Sequence, residues 1–312
     1  MLVNTNTKIH LMPADFEKIF KEQLNDFIKL KIKEYDFSYY NTTKNERDAC
    51  IKKIIETLIA QTIPIAGKQR KDDWERGWNE NFKRVIKKQN IESIIPRYFG
   101  KYNVVRLNQE FIKPASKNFE YNMLGLILDW IFDKYIKDAT SVYEFGCGTG
   151  YHLLRARKIN QTANLWGLDW SSSSQKIITK MALAENDTNL FAKRFNFFKP
   201  DKDFMLEKDA IIYTVASLEQ VGDMHKRFIS YLLNNKPKLC IHIEPISELL
   251  DENNLLDYLS IQYFKKRKYL SGFLTFLRQL ERRGSIRILK AQRTYIGSLF
   301  IEGYSVVVWT IK

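Results

Sequence analysis

The sequence predicts an α/β protein: a mostly parallel sheet whose last strand is antiparallel, preceded by a helical N-terminal unit. Three observations carry this. Short apolar runs alternate with helical stretches between residues 141 and 246, the pattern of βαβ crossovers in a sheet covered on both faces. The first of these runs ends in the glycine-rich turn EFGCGTG at 144–150. The chain closes with SIRILKAQRTYIG and EGYSVVVWTIK, two strand-like runs with Gly297 and Gly303 between them, which reads as an antiparallel hairpin.

The elements follow in order. Residues 14–34 place Phe16, Ile19, Phe20, Leu24, Phe27 and Ile28 at helical spacing, and 44–61 repeat the pattern with Ile51, Ile54, Ile55 and Leu58. A third helix is expected from Trp74 to about Lys88, with Trp78, Phe82 and Val85 on one face. No strand is expected before about residue 95. A strongly apolar helix covers 121–136. Then SVYEFG, NLWGLDWS, NLFAKRFNFF, DAIIYTVAS and KLCIHIEPI read as strands, with helices between all but the third and fourth. SELLDENNLLDYLSIQYF and LSGFLTFLRQLERRG add two more helices before the hairpin. The division expected is a helical unit over 1–112, serving as lid or dimer surface. The α/β domain takes 113–312, with a helical segment at 247–284.

Composition excludes several classes. The 312 residues carry 50 Lys+Arg against 36 Asp+Glu, a net charge of +14, with 45% hydrophobic residues; disordered and collagen-like chains lack that apolar content. No uncharged apolar stretch approaches the length of a membrane span. Asp15, Glu17, Glu22 and Asp26 near the start do not read as a secretory signal, so the expected location is cytoplasmic. Three scattered cysteines, Cys50, Cys147 and Cys240, form neither a disulfide framework nor a zinc site, and no metal is expected. Residues 265–293 hold ten basic side chains and one acidic. Such a segment favours anionic partners, although a solvated helix face has the same composition.

The turn at 144–150 carries the chemistry. Glycines at a strand-to-helix turn let the backbone approach a ligand, and the helix N–H groups point into the same space. Asp169 ends the next strand, where a carboxylate can hold a ribose diol. A dinucleotide fingerprint would need glycine at position 151, which is Tyr151.

At this point residues 120–312 resemble the class I S-adenosylmethionine-dependent methyltransferases, whose Asp/Glu-x-Gly-x-Gly-x-Gly motif residues 144–150 match in full. The resemblance implies a Rossmann-like methyltransferase sheet and S-adenosylmethionine as cofactor, with S-adenosylhomocysteine as product. It implies that Gly146, Cys147, Gly148 and Gly150 pass under the methionine part, with Glu144 beneath the loop helping to bind its ammonium group. Asp169 would hold the ribose and Trp170 would lie beside the adenine. Asn196, where the family often has Asp, would meet the adenine amino group, and Phe197 and Thr214 complete the cofactor set. Gln220 stands where many small-molecule members have histidine, so that histidine's role does not transfer.

Methyl transfer requires alignment and exclusion of water, and a hydroxyl acceptor also needs a base. The expected bases, in order, are Glu244 and His242 of the fifth strand and Glu219 after the fourth. His152 lies on the helix after the glycine turn. Arg293 and Tyr295 are expected to orient the acceptor. No Asn/Asp-Pro-Pro-Tyr/Phe follows the fourth strand and no cysteine follows a proline, which argues against two kinds of nucleic-acid base methylation. The expected reaction is O- or N-methylation of a small metabolite, anionic or sugar-like (a nucleotide-linked sugar, for example), by a protein that forms a homodimer. The alternatives are an RNA or DNA methyltransferase using 265–293 on the backbone, and a non-catalytic cofactor-binding or interaction protein.

Overall fold

The computed structural model describes residues 7–88, 91–96 and 98–312. In chain order its elements are β1 (Ile9–His10), α1 (Pro13–Phe20), α2 (Asp26–Glu34), β2 (Ser38–Asn41), α3 (Lys44–Ile59) and α4 (Lys71–Lys88). Next come β3 (Val105–Leu107), β4 (Glu110–Pro114), α5 (Phe119–Tyr135), β5 (Ser141–Phe145), α6 (Tyr151–Ile159), β6 (Asn164–Asp169), α7 (Ser172–Ala184) and β7 (Leu190–Arg194). The remainder is β8 (Ile211–Val215), α8 (Lys226–Asn235), β9 (Leu239–Glu244), α9 (Leu255–Arg267), α10 (Phe273–Arg282), β10 (Ile286–Gln292), β11 (Ile296–Gly297) and β12 (Ser305–Ile311).

The main sheet has the order β10-β12-β9-β8-β5-β6-β7. Strands β5 to β9 are parallel, while β12 pairs antiparallel with both β9 and β10. The chain first runs outward from β5 to β7, then returns to β8 on the other side of β5. A crevice opens at such a reversal, beyond the carboxyl ends of the strands. Side chains alternate across the sheet: Val142, Ile241 and Ile243 join one core with α5, α6 and α7, and Tyr143, Phe145 and Cys240 join another with α8 and α10. Every residue of β5, β8 and β9 is buried, which is why these strands read as continuous apolar runs.

A second sheet, β1-β2-β4-β3-β11, is antiparallel throughout. No strand is expected before about residue 95, yet β1 and β2 are there; strands of two and four residues offer too few alternations to register as a period. The helix expected over 14–34 is two helices. Lys21 turns left-handed at the end of α1, and the side chain of Asn25 accepts from the Ile28 N–H to start α2. The helix expected from 247 begins at Leu255, where the Asn254 side chain accepts from Leu256 and Asp257 N–H. The last hairpin is also longer than expected: between β10 and β12 the chain leaves the main sheet, and β11 pairs with β3.

Arg293 sits in that excursion, buried, with ion pairs to Asp257 and Glu302 at 2.8 Å or less. Removing one partner of a buried pair leaves an uncompensated charge. Arg293→Met is expected to lower the unfolding free energy by about 3–5 kcal/mol, read from urea melts; a loss under about 1 kcal/mol, typical of exposed pairs, contradicts this account.

Candidate functional site

Strand β5 delivers the glycine turn to the crevice. Gly146, Gly148 and Gly150 have φ of 76°, 54° and 74°, in the left-handed region that favours glycine. Gly146 and Cys147 N–H both donate to Leu168 O, tying the turn to β6. A Cβ on Gly146 would stand 2.4 Å from Ser217 Cβ, and one on Gly148 would stand 2.8 Å from the Trp78 ring. The turn therefore packs against the loop after β8 and against α4, with no room for side chains.

Two cavities adjoin there. The first is lined by Asp169, Trp170, Phe197 and Phe198 and the second, of about 350 Å³, by Cys147, Gly148, Glu120, Glu219 and several tyrosines. Gly146, Trp74, Trp78, Ala216 and Gln220 border both. Asp169 Oδ2 accepts from Gly148 N–H at 3.0 Å and Oδ1 from Ser171 N–H at 2.9 Å. Burial pushes its carboxyl up to about 6 despite those hydrogen bonds. Trp170 stacks with Phe198 at 5.7 Å, so Asp169 lies beside aromatic rings in one slot.

Glu144 is fully buried beneath the turn and lines neither cavity. It is paired with His152 Nδ1 at 2.6 Å and accepts from the Tyr213 hydroxyl at 3.0 Å. His152 itself lines the second cavity, and its buried Nε2 has no partner among the described residues. Burial beside Asp169 and Glu144 raises the Cys147 thiol well above its ordinary value, which keeps it a neutral wall.

Other expected residues are not brought to the cavities. Asn196 is exposed, and its side chain accepts from Phe198 N–H to shape the turn. Thr214 is fully buried and its hydroxyl pairs with His242 Nδ1 at 3.0 Å. His242 lies between the rings of Phe273 and Trp309, and burial pushes it down to about 3, so it is neutral. Glu244 accepts from the N–H groups of Ser217, Leu218 and Glu219 at 3.0, 3.1 and 3.3 Å. Burial raises its carboxyl to about 7, but its oxygens face this loop. Thus Glu244 and His242, expected as bases, are loop anchor and core residue, because positions 242 and 244 share the sheet face turned to α10. Arg293 is held by its carboxylates, and Tyr295 lies under its guanidinium at 4.5 Å; neither lines a cavity.

Glu219 does line the second cavity. It accepts from Gln220 Nε2 at 2.8 Å, and burial next to Glu244 raises its carboxyl to about 8. Sequence reasoning missed Trp74, Trp78, Tyr98, Glu120, Tyr263, Tyr269 and Tyr304 around the same space. Only Trp78 carried a signal, as an apolar position on the third helix. Part of the basic segment is engaged within the fold: Lys266 donates to the carbonyls of Leu58 and Ala60, Arg267 lies over Tyr263 and Tyr269, and Lys290 pairs with Glu22, while Lys265, Lys268, Arg278, Arg282, Arg283 and Arg287 are exposed.

The strand order, the antiparallel last strand and the glycine turn after the central strand are those of the class I S-adenosylmethionine-dependent methyltransferase fold, and this chain has it. No family model matches the chain, and no curated protein matches its sequence. Solved structures of similar fold include magnesium protoporphyrin IX methyltransferase from Synechocystis with bound S-adenosylhomocysteine. It is 14% identical with a TM-score of 0.45, and the match covers 61% of this chain and 82% of that one. Human N-acetylserotonin methyltransferase with S-adenosylmethionine is 11% identical with a TM-score of 0.47, covering 86% and 67%. A riboflavin-derivative dimethyltransferase from Streptomyces davawensis is 10% identical with a TM-score of 0.44, covering 86% and 71%. Among the described residues no helix is long and apolar enough to cross a membrane, and no cluster of His, Cys, Asp and Glu could hold a metal.

Asp169 is the carboxylate on the wall of the first cavity, so a ribose bound there would donate to it. Asp169→Ala is expected to weaken S-adenosylhomocysteine binding about ten- to hundredfold, the worth of one or two charge-assisted hydrogen bonds. Calorimetric titration of both proteins measures this; equal affinities would mean the ribose is held elsewhere.

Proposed function

We propose that this protein is an S-adenosylmethionine-dependent methyltransferase acting on O or N of a small molecule bound in the second cavity. The observation that carries the reading is the shared wall. The cavity beside Asp169 and Trp170 meets the tyrosine-lined cavity at Gly146, beside Trp74 and Trp78, so donor and acceptor subsites would adjoin.

The residues fit the cofactor. Gly146 and Gly148 bring bare backbone to the cavity walls, Asp169 offers carboxylate oxygens to ribose hydroxyls, and Trp170 and Phe197 offer faces to a purine; Gly150, expected beside them, lines neither cavity and turns toward Ile178. Glu144 acts at one remove, by holding His152 at the second cavity. S-adenosylmethionine supplies a methyl group on a sulfonium sulfur. The chain's own work is to align a lone pair with that carbon, exclude water and receive a proton. Glu219 is the expected base that faces the acceptor space. Its carboxyl is ionised only above about 8, so kcat/KM is expected to rise with pH up to that region. Glu219→Gln should remove that limb; a profile unchanged in the variant would rule Glu219 out as the base.

The N-terminal unit supports the role of lid. Trp74 and Trp78 on α4 roof both cavities, and Glu75 between them docks on α7. The Glu75 carboxylate accepts from Ser172 and Ser173 through both N–H and hydroxyl groups at 2.6–3.1 Å. Burial opposes ionisation there, but these bonds hold the carboxyl down at about 2, as expected of an anion at a helix N-terminus. Glu75→Ala is expected to remove about 1 kcal/mol from the closed arrangement. Cofactor affinity should fall roughly fivefold, chiefly through faster dissociation, which stopped-flow tryptophan fluorescence reports. An unchanged dissociation rate would argue that α4 is a fixed wall.

The activity itself is tested by incubating the protein with methyl-labelled S-adenosylmethionine and pooled small-molecule acceptors. Labelled product confirms transfer, whereas a folded protein that binds neither S-adenosylmethionine nor S-adenosylhomocysteine sinks the reading.

A further inference from the structure

The acceptor cavity has an unusual balance of groups. Glu120 and Glu219 both face it, and both carboxyls act electrostatically on the hydroxyls of Tyr98 and Tyr304, so the two acids look into one space. Each has a single modest partner: Glu120 accepts from Gly100 N–H at 3.4 Å, and Glu219 from the Gln220 amide at 2.8 Å. Neither forms an ion pair among the described residues. The buried Gln220 Oε1 and His152 Nε2 on the same walls have no hydrogen-bond partner among the described residues, and neither do Trp74 Nε1, the Tyr151 hydroxyl and Arg267 Nε.

Among the described residues no cation of the cavity forms an ion pair with either acid, although Arg267 acts electrostatically on Glu219 and holds its carboxyl lower than burial alone would. Arg70 pairs with Asp73 at 2.7 Å, Lys101 is exposed and lies over Tyr102, and Arg267 donates to the Tyr263 hydroxyl while lying over Tyr269. Between the acids the walls are aromatic: Tyr98, Tyr102, Tyr151, Tyr263, Tyr304 and Phe300. Two half-buried carboxyls facing one cavity, without an ion pair of their own and surrounded by ring faces, form the surface an organic cation completes. An ammonium beside the acids lowers both carboxyls toward their ionised form, donates charge-assisted hydrogen bonds to them and is attracted to the rings. A carboxylate there would be repelled, and a neutral alcohol would leave acceptor oxygens without a charged partner.

We infer that the second cavity takes an acceptor carrying a primary or secondary amine, which arrives as the ammonium ion and is held between Glu120 and Glu219. This rests on the methyl-transfer reading and names the substrate class of its acceptor subsite. The ammonium has no lone pair, so one N–H bond breaks and its proton forms an O–H bond on the Glu219 carboxylate while the electron pair stays on nitrogen. That pair forms the new N–C bond as the S–C bond of the sulfonium breaks and its electrons stay on sulfur. Glu219 then releases its proton to water, and the product leaves as a methylated ammonium. Burial suits Glu219 to this exchange, because its neutral form is also stable in the site.

The test uses the full chain and matched triads on one scaffold: phenethylamine, 2-phenylethanol and phenylacetate, then glucosamine, glucose and glucuronate. Calorimetry at neutral pH reads their binding, and S-adenosylhomocysteine is titrated separately. In at least one triad the amine is expected to bind about tenfold or more tightly than its alcohol and carboxylate. Glu219→Gln and Glu120→Gln should each remove most of that preference while S-adenosylhomocysteine affinity and melting temperature stay as in the parent. The inference is overturned if neither triad favours its amine, if a carboxylate binds best, or if the folded variants keep the preference. Loss of S-adenosylhomocysteine binding in the parent protein would instead strike the methyltransferase reading, so the two failures are distinguishable.

Discussion

The backbone of residues 146–150 must pass through the left-handed region three times in five residues while two other segments press against it. That constraint organises the crevice. The N–H groups of Gly146 and Cys147 reach Leu168 O and set β6 beside β5, so Asp169 emerges next to the turn. The bare Cα of Gly146 admits Ser217, and that of Gly148 admits Trp78. A side chain at either place would push the loop after β8 or helix α4 away, and the wall shared by the two cavities would separate. Close approach of side chains to bare backbone is thus the condition on which both cavities depend.

A second layer of buried carboxylates holds the turn's neighbours. Glu144 binds His152 and Tyr213 beneath the loop, and Glu244 gathers three successive N–H groups that follow β8. Both residues are fully buried and both act on the site through what they position. The loop that Glu244 shapes carries Glu219 and Gln220, and those two side chains do face the acceptor space. Buried acceptors of this kind are stabilising only because backbone donors satisfy them. The contrast with Glu120 and Glu219, whose oxygens are less fully met, separates carboxyls that support the fold from carboxyls that await a ligand.

The basic segment divides between cations engaged within the fold and the exposed Lys265, Lys268, Arg278, Arg282, Arg283 and Arg287. Ten cations in 265–293 suggest an anion-binding face. In the fold Lys266 caps the end of α3, Arg293 is enclosed by Asp257 and Glu302, and Lys290 meets Glu22. Each contact joins residues far apart in the chain, except for the Glu302 pair, so no local pattern announces it. Arg293 and Tyr295 lie near the end of a strand as expected, but the chain leaves the main sheet there to build the second one, which turns them away from the crevice.

The amino-acid order alone determined what local periodicity and local backbone chemistry can encode. The five parallel strands, their helices, the final antiparallel strand and the turn with Glu144, the three glycines and Asp169 were all legible, because each is written within a short window. The tertiary structure alone decided which side chains line the two cavities. Strands β1 and β2 were too short to show a period. The roof of Trp74 and Trp78 and the pairing of Glu120 with Glu219 across one cavity depend on segments more than sixty residues from one another or from the turn they cover. Even the choice among Glu219, His242 and Glu244 turned on strand facing and on which backbone N–H groups lay within reach. Those are properties of packing, and they exist only once distant segments have been brought together.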